Sequence, residues 1–270
     1  GCCGRKTGCP GGRQRRGTVI LDQVIRATAG RVAGLPRNPG EFPLKRDHHS
    51  LHAVLGRRGG RNAIIAEIKF ASPSRGNIRE EIDPAGLAVG MASAGSAALS
   101  VLTEPYFFNG RTEFIPIIRA RVTVPILRKD FIIDERQLAE SRMLGADAVL
   151  LIAGVLGDGL PDMVDAAFTY GLEPLVEVHT ADEVKAALGT ATRMVGINNR
   201  NLNTFRIDLS TTLRLAPLVR EAGLVAVSES GFLWPCDVRG LRHLADGYLI
   251  GSAIMAAQDP QKALEGFVFA

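Results

Sequence analysis

The sequence predicts an α/β protein, a (β/α)8 TIM barrel with an N-terminal helical extension. From Ala63 onward, strand-like and helix-like segments alternate eight times, which is typical of a barrel built from repeated βα units. The strand segments are apolar on both faces, as in an all-parallel sheet covered by helices. The chain has 270 residues, of which 46% are hydrophobic, enough for one such domain. A doubly wound sheet is the alternative, but no glycine-rich fingerprint follows the first strand.

The predicted strands are short apolar segments with many β-branched residues, separated by turn-forming residues. Their cores are Ala63–Ile68, Ala98–Leu102, Val124–Leu127, Ala148–Ile152, Pro174–Val178, Met194–Ile197, Leu224–Val227 and Tyr248–Ile250.

The helices between the strands have clear start signals. Asp83 and Asp259 each precede a proline, which predicts an N-cap with proline at the first helical position. Thr180 with Glu183 is a capping-box pattern opening a helix that runs to Leu188. Glycines end several of these helices.

The N-terminal region divides into two parts. We predict a disordered basic tail over residues 1–17 and a single barrel domain with its N-terminal helices over residues 18–270. Thr18–Val32 has apolar residues at helical spacing, and His49–Leu55 suggests a short helix before the first strand. A histidine pair four residues apart, His48 and His52, could bind metal, but no other ligand cluster supports it, so we predict no metal site.

The charge distribution argues against a nucleic-acid partner. The whole chain carries +4, and the five basic residues in residues 1–16, with no acid among them, leave −1 for the rest. Outside the tail only Cys236 is a cysteine, which suits a reducing cytosol. We find no membrane-length apolar run and no secretory signal, so we expect a cytoplasmic protein with no membrane partner.

Charged and amide side chains follow most of the predicted strands. The carboxyl ends of barrel strands carry the active site, so these residues should converge on one mouth. Glu67 and Lys69 lie two apart and share a strand face, although a structural ion pair explains them equally well on that stretch alone. The full set consists of Glu67, Lys69, Thr103, Glu104, Lys129, Asp130, Glu177, Asn198, Arg200, Glu229, Ser230, Gly251 and Ser252. Such a mixed-charge basin can tune pKa values for acid–base chemistry.

The loops after strands seven and eight predict a phosphate site. Ser230-Gly231 and Gly251-Ser252 place glycines and hydroxyl groups where barrels commonly bind phosphate, and a short helix should begin after Gly251.

Seven motifs occur in order on these strands, and together they resemble the indole-3-glycerol-phosphate synthase family over about residues 20–268. They are AEIK with SPS at 66–74, SVLTE at 100–104 followed by Phe108, LRKDF at 127–131, EPLVE at 173–177, GINNR at 196–200, SESG at 228–231 and LIGS at 249–252. Two departures are Phe70, where the family commonly has a basic residue, and the individual segment Phe232–Cys236.

The resemblance implies a phosphorylated substrate, 1-(2-carboxyphenylamino)-1-deoxyribulose 5-phosphate, which is cyclised, decarboxylated and dehydrated without a cofactor. It implies Lys129 as general acid, Lys69 at the substrate carboxylate, and Glu177 and Glu67 as acid–base carboxylates. The remaining implied contacts are Asn198, Glu229 and Arg200 for substrate orientation, Ser72, Ser230, Gly231, Gly251 and Ser252 for phosphate, and Phe108, Phe131 and Leu150 as apolar walls for the anthranilate ring. His179, two residues after Glu177, could face the same mouth, but near a helix start a local structural role fits it better.

Two other interpretations remain open at this point. A phosphoribosylanthranilate isomerase would use a Cys/Asp pair, but Cys236 lies beyond strand seven rather than at strand one. A non-catalytic sugar-phosphate-binding barrel would be expected to lack Lys69, Lys129 or Glu177, and all three are present. We expect a monomer, with at most weak association with other tryptophan-pathway enzymes.

Overall fold

The computed structural model describes residues 15–37, 49–56, 60–72, 76–78, 83–202 and 204–270. Eight parallel strands form a closed barrel, because the first strand pairs with both the second and the eighth. The predicted barrel is therefore confirmed, and the doubly wound alternative is wrong. The strands are β1 (Ile64–Ile68), β2 (Ala98–Leu102), β3 (Ile126–Lys129), β4 (Ala148–Ile152), β5 (Glu173–Val178), β6 (Met194–Asn198), β7 (Val225–Glu229) and β8 (Gly247–Ile250).

Helices cover the outside of this barrel and extend it at the N-terminus. A two-stranded antiparallel ladder, Ala71–Ser72 with Gly76–Asn77, follows β1. The helices in the described ranges are α1 (Arg15–Ala33), α2 (Leu51–Val54), α3 (Pro84–Ser93), α4 (Pro105–Phe108), α5 (Phe114–Arg119), α6 (Glu135–Leu144), α7 (Ala153–Leu156), α8 (Leu160–Thr169), α9 (Ala181–Leu188), α10 (Ser210–Glu221), α11 (Pro235–Leu241), α12 (Ser252–Met255) and α13 (Pro260–Val268), with a 3-10 turn at Gly157–Gly159.

The predicted helix starts are observed with one difference. Asp83 accepts a hydrogen bond from the N–H of Ala85, and Asp259 accepts one from Lys262, so both are N-caps. Thr180 accepts from the N–H of Glu183 as expected, but the Glu183 carboxylate accepts from the N–H of His179 rather than from Thr180. The capping pair is thus displaced by one residue and involves His179.

The N-terminal helix begins at Arg15, three residues before the predicted start at Thr18. Residues 1–14 lie outside the described residues, so the basic tail stays a prediction. No helix in the described part of the chain is long and apolar enough to cross a membrane.

Two apolar layers stabilise the barrel. The larger layer packs the outer faces of the strands against the surrounding helices, and a second cluster fills the barrel interior, with Leu127, Leu150 and Leu175 among its members. Burial of this apolar surface is the main favourable contribution to folding, at roughly 25 cal/mol per Å².

Helix α2 closes the end of the barrel that is opposite the strands' carboxyl ends. Leu51 belongs to the interior cluster, and the hydroxyl of Ser50 and the N–H of His52 donate to Glu173 at the start of β5. Within the described ranges, no group of His, Cys, Asp or Glu side chains is arranged to hold a metal ion. His48 lies outside those ranges, so the histidine-pair hypothesis gains no support.

Candidate active site at the carboxyl ends of the strands

Most of the strand-end residues predicted from the sequence line one cavity of about 290 Å³. Parallel strands place their carboxyl ends on the same rim, so residues far apart in sequence meet there. Thr103 and Glu104 do not line it: the Thr103 hydroxyl donates to Asp130, and Glu104 caps a helix. The predicted residues among its walls are Glu67, Lys69, Phe108, Lys129, Asp130, Phe131, Leu150, Glu177, Asn198, Arg200, Glu229, Ser230, Gly231, Gly251 and Ser252. Ser72 belongs to the short ladder after β1, but its side chain lies outside the described part of the structure.

The centre of the cavity is an ammonium group between two carboxylates. Lys129 Nζ lies 3.1 Å from Glu177 Oε2 and 3.2 Å from Glu229 Oε2. Both glutamates are 1% exposed, and charges buried to this extent are costly unless they are paired. One lysine therefore compensates two carboxylates that lie on strands β5 and β7.

The carboxylates keep Lys129 charged. Burial lowers the pKa of Lys129, but the attraction of Glu229, Glu177 and Glu67 outweighs burial and raises that pKa above its ordinary value. The side chain therefore stays protonated at neutral pH.

The two carboxylates that contact Lys129 differ in their protonation. Burial raises the pKa of Glu229 to about 7, with repulsion from Glu177 adding to the effect and Lys129 opposing it. Burial also acts on Glu177, but Lys129, His179 and a hydrogen bond with Asn198 outweigh it and hold the pKa of Glu177 below its usual value. At neutral pH, Glu177 is ionised while Glu229 is close to half protonated.

His179 contributes to this difference between Glu177 and Glu229. Its Nε2 lies 3.5 Å from Glu177 Oε1, and its Nδ1 lies 3.4 Å from Glu183 Oε2. Burial lowers the pKa of His179, but the two glutamates outweigh burial and raise it. The local role expected for His179 is observed at the helix start, and the side chain also contacts Glu177. The contact with Glu177 agrees with the alternative that the two-residue spacing left open, in which both side chains face the same mouth.

Two glycines make room for the carboxylates. A Cβ atom at Gly196 would overlap Glu229 Oε1, and one at Gly251 would overlap Glu67 Oε1. Any side chain at either position would displace a charged group of the site. The glycine of the GINNR motif thus has a steric role beside the carboxylate.

The first predicted pair also lies in this cavity. Lys69 Nζ is 2.5 Å from Glu67 Oε1, so the two form an ion pair, and both residues line the cavity. The pair is thus an ion pair, as the structural interpretation expects, and it also lies in the cavity near Lys129, as the functional interpretation expects. Glu67 is among the carboxylates that raise the pKa of Lys129.

The two predicted phosphate turns lie on one side of the cavity. Ser230 has φ 65°, in the left-handed region that residues other than glycine seldom adopt, and Gly231 follows with φ 98°. Gly251 precedes helix α12, which begins at Ser252, as the sequence predicted. The serine and glycine of both turns line the cavity, and hydroxyl and main-chain N–H groups are the donors that suit an anion.

The opposite side of the cavity is apolar. The rings of Phe108 and Phe131 lie 6.4 Å apart between centroids, and Leu150 lies in the barrel interior beneath the mouth. Helix α4, which ends at Phe108, is capped by the buried carboxylate of Glu104, which accepts from two backbone N–H groups. These walls can hold a flat aromatic group.

Helix α1 supplies a further wall that the sequence analysis did not assign. Ile20, Leu21 and Val24 line the cavity. Arg31 fixes the end of this helix to the barrel, because its NH1 and NH2 atoms donate to the two oxygens of Asp130 at 3.1 and 2.7 Å. The helical spacing of these apolar residues was visible in the sequence, but their contact surface was not.

The loop after β6 and the segment after β7 add further walls that the sequence analysis did not assign. Leu202, Phe205, Phe232 and Leu233 line the cavity. Phe205 has φ 57°, an unusual backbone conformation for an aromatic residue, and strain of this kind is concentrated at functional sites. The only sequence signal for these four residues is their position after β6 and β7, two strands that carry predicted site residues.

The closed barrel and the lysine held between two buried carboxylates define a class: a (β/α)8 barrel with an acid–base site at the carboxyl ends of its strands. Comparison with known proteins is more specific. The family model described as indole-3-glycerol phosphate synthase matches residues 22–267. The chain belongs to the indole-3-glycerol phosphate synthase family.

Curated relatives agree with this assignment. An indole-3-glycerol phosphate synthase of Azoarcus sp. is 45% identical over 251 residues, which cover 91% of this chain and 94% of the relative. Proteins with the same name from Carboxydothermus hydrogenoformans and Bordetella pertussis are 48% and 43% identical, covering 76% and 89% of this chain and 79% and 95% of the relatives. Among solved structures, KGPDC from Streptococcus mutans in complex with D-R5P aligns with a TM-score of 0.61 at 14% identity, covering 76% of this chain and 95% of that one, which shows the shared fold.

Proposed function

We propose that this protein is a carboxy-lyase of tryptophan biosynthesis. It converts 1-(2-carboxyphenylamino)-1-deoxyribulose 5-phosphate to indole-3-glycerol phosphate, carbon dioxide and water. The observation that carries the proposal is Lys129, a partly buried cation between the buried carboxylates of Glu177 and Glu229 at the centre of the cavity. Family membership supports the same reaction.

The cavity matches the two ends of this substrate. The phosphate binds at the turns that contain Ser230, Gly231, Gly251 and Ser252, while the anthranilate ring lies against the apolar wall formed by Phe108, Phe131 and Leu150. Holding both ends brings the aromatic ring and the ketone carbon together, which lowers the entropic cost of ring closure.

Lys129 acts in ring closure. The ring carbon that bears the carboxylate attacks the ketone carbon, so a carbon–carbon bond forms and the ketone π electrons move to oxygen. Lys129 stabilises that oxygen and donates its proton, giving an alcohol. The ring-closed iminium then accepts the electron pair of the breaking carbon–carboxylate bond. Carbon dioxide leaves and the aromatic ring is restored, so this step needs no organic cofactor or metal.

Dehydration completes the reaction. The alcohol leaves as water after it gains a proton, and the carbon next to the nitrogen loses one, which forms the indole double bond. Glu177, ionised at neutral pH, is suited to remove the proton, while Lys69 and Glu67 lie in the same cavity for proton transfer. Asn198, Arg200 and Glu229 orient the substrate.

An indole fluorescence assay tests the proposal. Purified protein is mixed with the anthranilate-linked deoxyribulose phosphate, beside Lys129→Ala and the control Lys185→Ala, which removes an exposed lysine on α9. We expect indole fluorescence from the wild type and the control, and a loss of about 10²–10⁴-fold in kcat for Lys129→Ala. A folded wild type that leaves the substrate unchanged would overturn the proposed function, and full activity in Lys129→Ala would place the general acid elsewhere.

We also propose that the protein acts as a monomer in the cytoplasm, with at most weak association with other tryptophan-pathway enzymes. The single, exposed cysteine of the described residues, Cys236, supports a reducing compartment. Light scattering would contradict the monomer if the mass exceeded the 28.9 kDa of one chain.

A further inference from the structure

We infer that Asn199 is a positioning residue, which holds the Ser230-Gly231 turn in the conformation that binds the substrate's phosphate. The inference rests on the proposed function for the identity of the ligand. Asn199 is 2% exposed and follows Asn198 at the end of β6, so it acts through the turn rather than by contact with substrate.

The amide of Asn199 bonds to the turn itself. Its Nδ2 lies 3.0 Å from the carbonyl oxygen of Glu229 and 3.0 Å from that of Ser230. The main-chain N–H of Asn199 also donates to the Glu229 carbonyl at 2.9 Å. The side chain therefore contacts the turn at the residue with φ 65°, where the backbone departs from its preferred region.

Two hydroxyl groups fix the orientation of that amide. Thr212 donates to Asn199 Oδ1 through both its N–H, at 3.1 Å, and its hydroxyl, at 2.9 Å. Because the Thr212 hydroxyl proton is used there, the 2.6 Å contact with the Ser228 hydroxyl must be donated by Ser228. Asn199 Nδ2 in turn lies 3.1 Å from Ser228 Oγ, which closes a ring of three hydrogen bonds, and its two hydrogens are shared among this hydroxyl and the two carbonyl oxygens.

This ring has a consequence for function. A buried polar group without a hydrogen-bond partner destabilises the folded state, so a network in which every group is paired favours one arrangement of its side chains over the others. An apolar residue could fill the space behind the turn, but it could not hold the two carbonyl groups. The network therefore specifies the shape of the turn, and with it the placement of Ser230 and Gly231 at the cavity.

The test measures phosphate binding as well as turnover. Asn199→Ala removes the amide, Thr212→Val removes one hydroxyl of the ring, and Thr212→Ser keeps that hydroxyl. Thr211→Val is the matched control, since its hydroxyl lies near Arg214 instead of Asn199. For each protein, kcat, KM, the melting temperature and the dissociation constant of inorganic phosphate, from calorimetry, are compared.

We expect Asn199→Ala to raise both KM and the phosphate dissociation constant about tenfold, with kcat changed by less than about threefold, because loss of a buried hydrogen-bond partner changes an equilibrium by roughly that factor. Thr212→Val should give a smaller rise in the same two quantities, Thr212→Ser should restore wild-type values, and Thr211→Val should leave both unchanged.

Unchanged phosphate affinity and KM in Asn199→Ala, with only a lower melting temperature, would overturn the inference. If Asn199→Ala does not fold, equal phosphate affinities in Thr212→Val and Thr212→Ser would overturn it instead. A wild type that binds phosphate but does not turn over the substrate would refute the proposed function and leave the inference intact. A wild type that does not bind phosphate would overturn the inference.

Discussion

Replacing Lys129 with methionine tests whether one ammonium group keeps the buried carboxylates compatible with the fold. Methionine has nearly the same shape but no charge. Glu177 and Glu229 then lose a partner at 3.1 and 3.2 Å while they stay buried. Removing one partner of a buried ion pair typically costs about 3–5 kcal/mol, and protonation of the carboxylates can relieve this cost at low pH.

The stability difference between the wild type and Lys129→Met depends on pH because the pKa of Glu177 changes. In the wild type its pKa lies below the ordinary 4.5, so it contributes stability above pH 4.5 that is lost as pH falls through the folded-state pKa. Without Lys129 we expect burial to dominate and the pKa of Glu177 to rise above 4.5. A raised carboxylate pKa reverses the sign, because the native state then binds more protons and loses stability as pH rises through that pKa.

The magnitude follows from the shift in proton binding. Each additional proton bound by the native variant widens the stability gap to the wild type by about 1.4 kcal/mol per pH unit. One additional proton bound over two pH units therefore widens the gap by about 3 kcal/mol. In a barrel of this size the melting-temperature difference then increases by about 6–12 °C.

The assay is urea unfolding followed by the fluorescence of Trp234 at pH 5 and pH 8, with Lys185→Met as the exposed control. The free-energy gap between wild type and Lys129→Met should be small at pH 5 and large at pH 8, whereas the control should show no pH-dependent gap. A gap of equal size at both pH values would refute the argument, since Lys129 would then not control carboxylate protonation.

Two further variants test the geometry around this cluster. Gly196→Ala places a Cβ on Glu229 Oε1, so we expect the carboxylate to move and kcat/KM to fall about 100-fold in the fluorescence assay, with the fold retained. Arg31→Met removes the two bonds to Asp130, so backbone amides of helix α1 should exchange with deuterium about tenfold faster.

Each of these variants has a matched control in the chain. Gly240→Ala adds the same methyl group on helix α11, where it would meet no atom within 4 Å, and it should leave activity unchanged. Arg26→Met removes an exposed arginine from the same helix as Arg31. Equal loss of activity in both glycine variants, or equal exchange rates in both arginine variants, would contradict the proposed contacts.

The strands and the site residues at their ends could be predicted because their signals are local. Apolar runs of β-branched residues mark a buried strand, and the next polar residue along the same face marks its functional end. This local pattern predicts that Lys129, Glu177 and Glu229 lie at the ends of three strands. The parallel barrel then makes convergence a consequence of topology.

The walls from outside the barrel could not be predicted in the same way. Ile20 and Val24 had helical spacing, but that pattern shows only that one face is apolar, not what covers it. The Arg31–Asp130 contact joins residues separated by 99 positions, and no local propensity encodes such a pairing. Asn199 belongs to the GINNR motif, but its role depends on its hydrogen bond with Thr212 on the following helix, which the motif does not show.

The arrangement around Lys129 explains how two similar glutamates can serve different purposes. Both contact the same ammonium group and are equally buried, so these two features cannot separate them. His179 lies 3.5 Å from Glu177, and its positive charge lowers the pKa of Glu177, whereas burial leaves that of Glu229 at about 7. When their surroundings separate the pKa values of two carboxyl groups, the group with the lower pKa is suited to act as a base and the group with the higher pKa as an acid. In the proposed reaction Glu177 is therefore the base, and Glu229, partly protonated at neutral pH, can donate a hydrogen bond to the substrate.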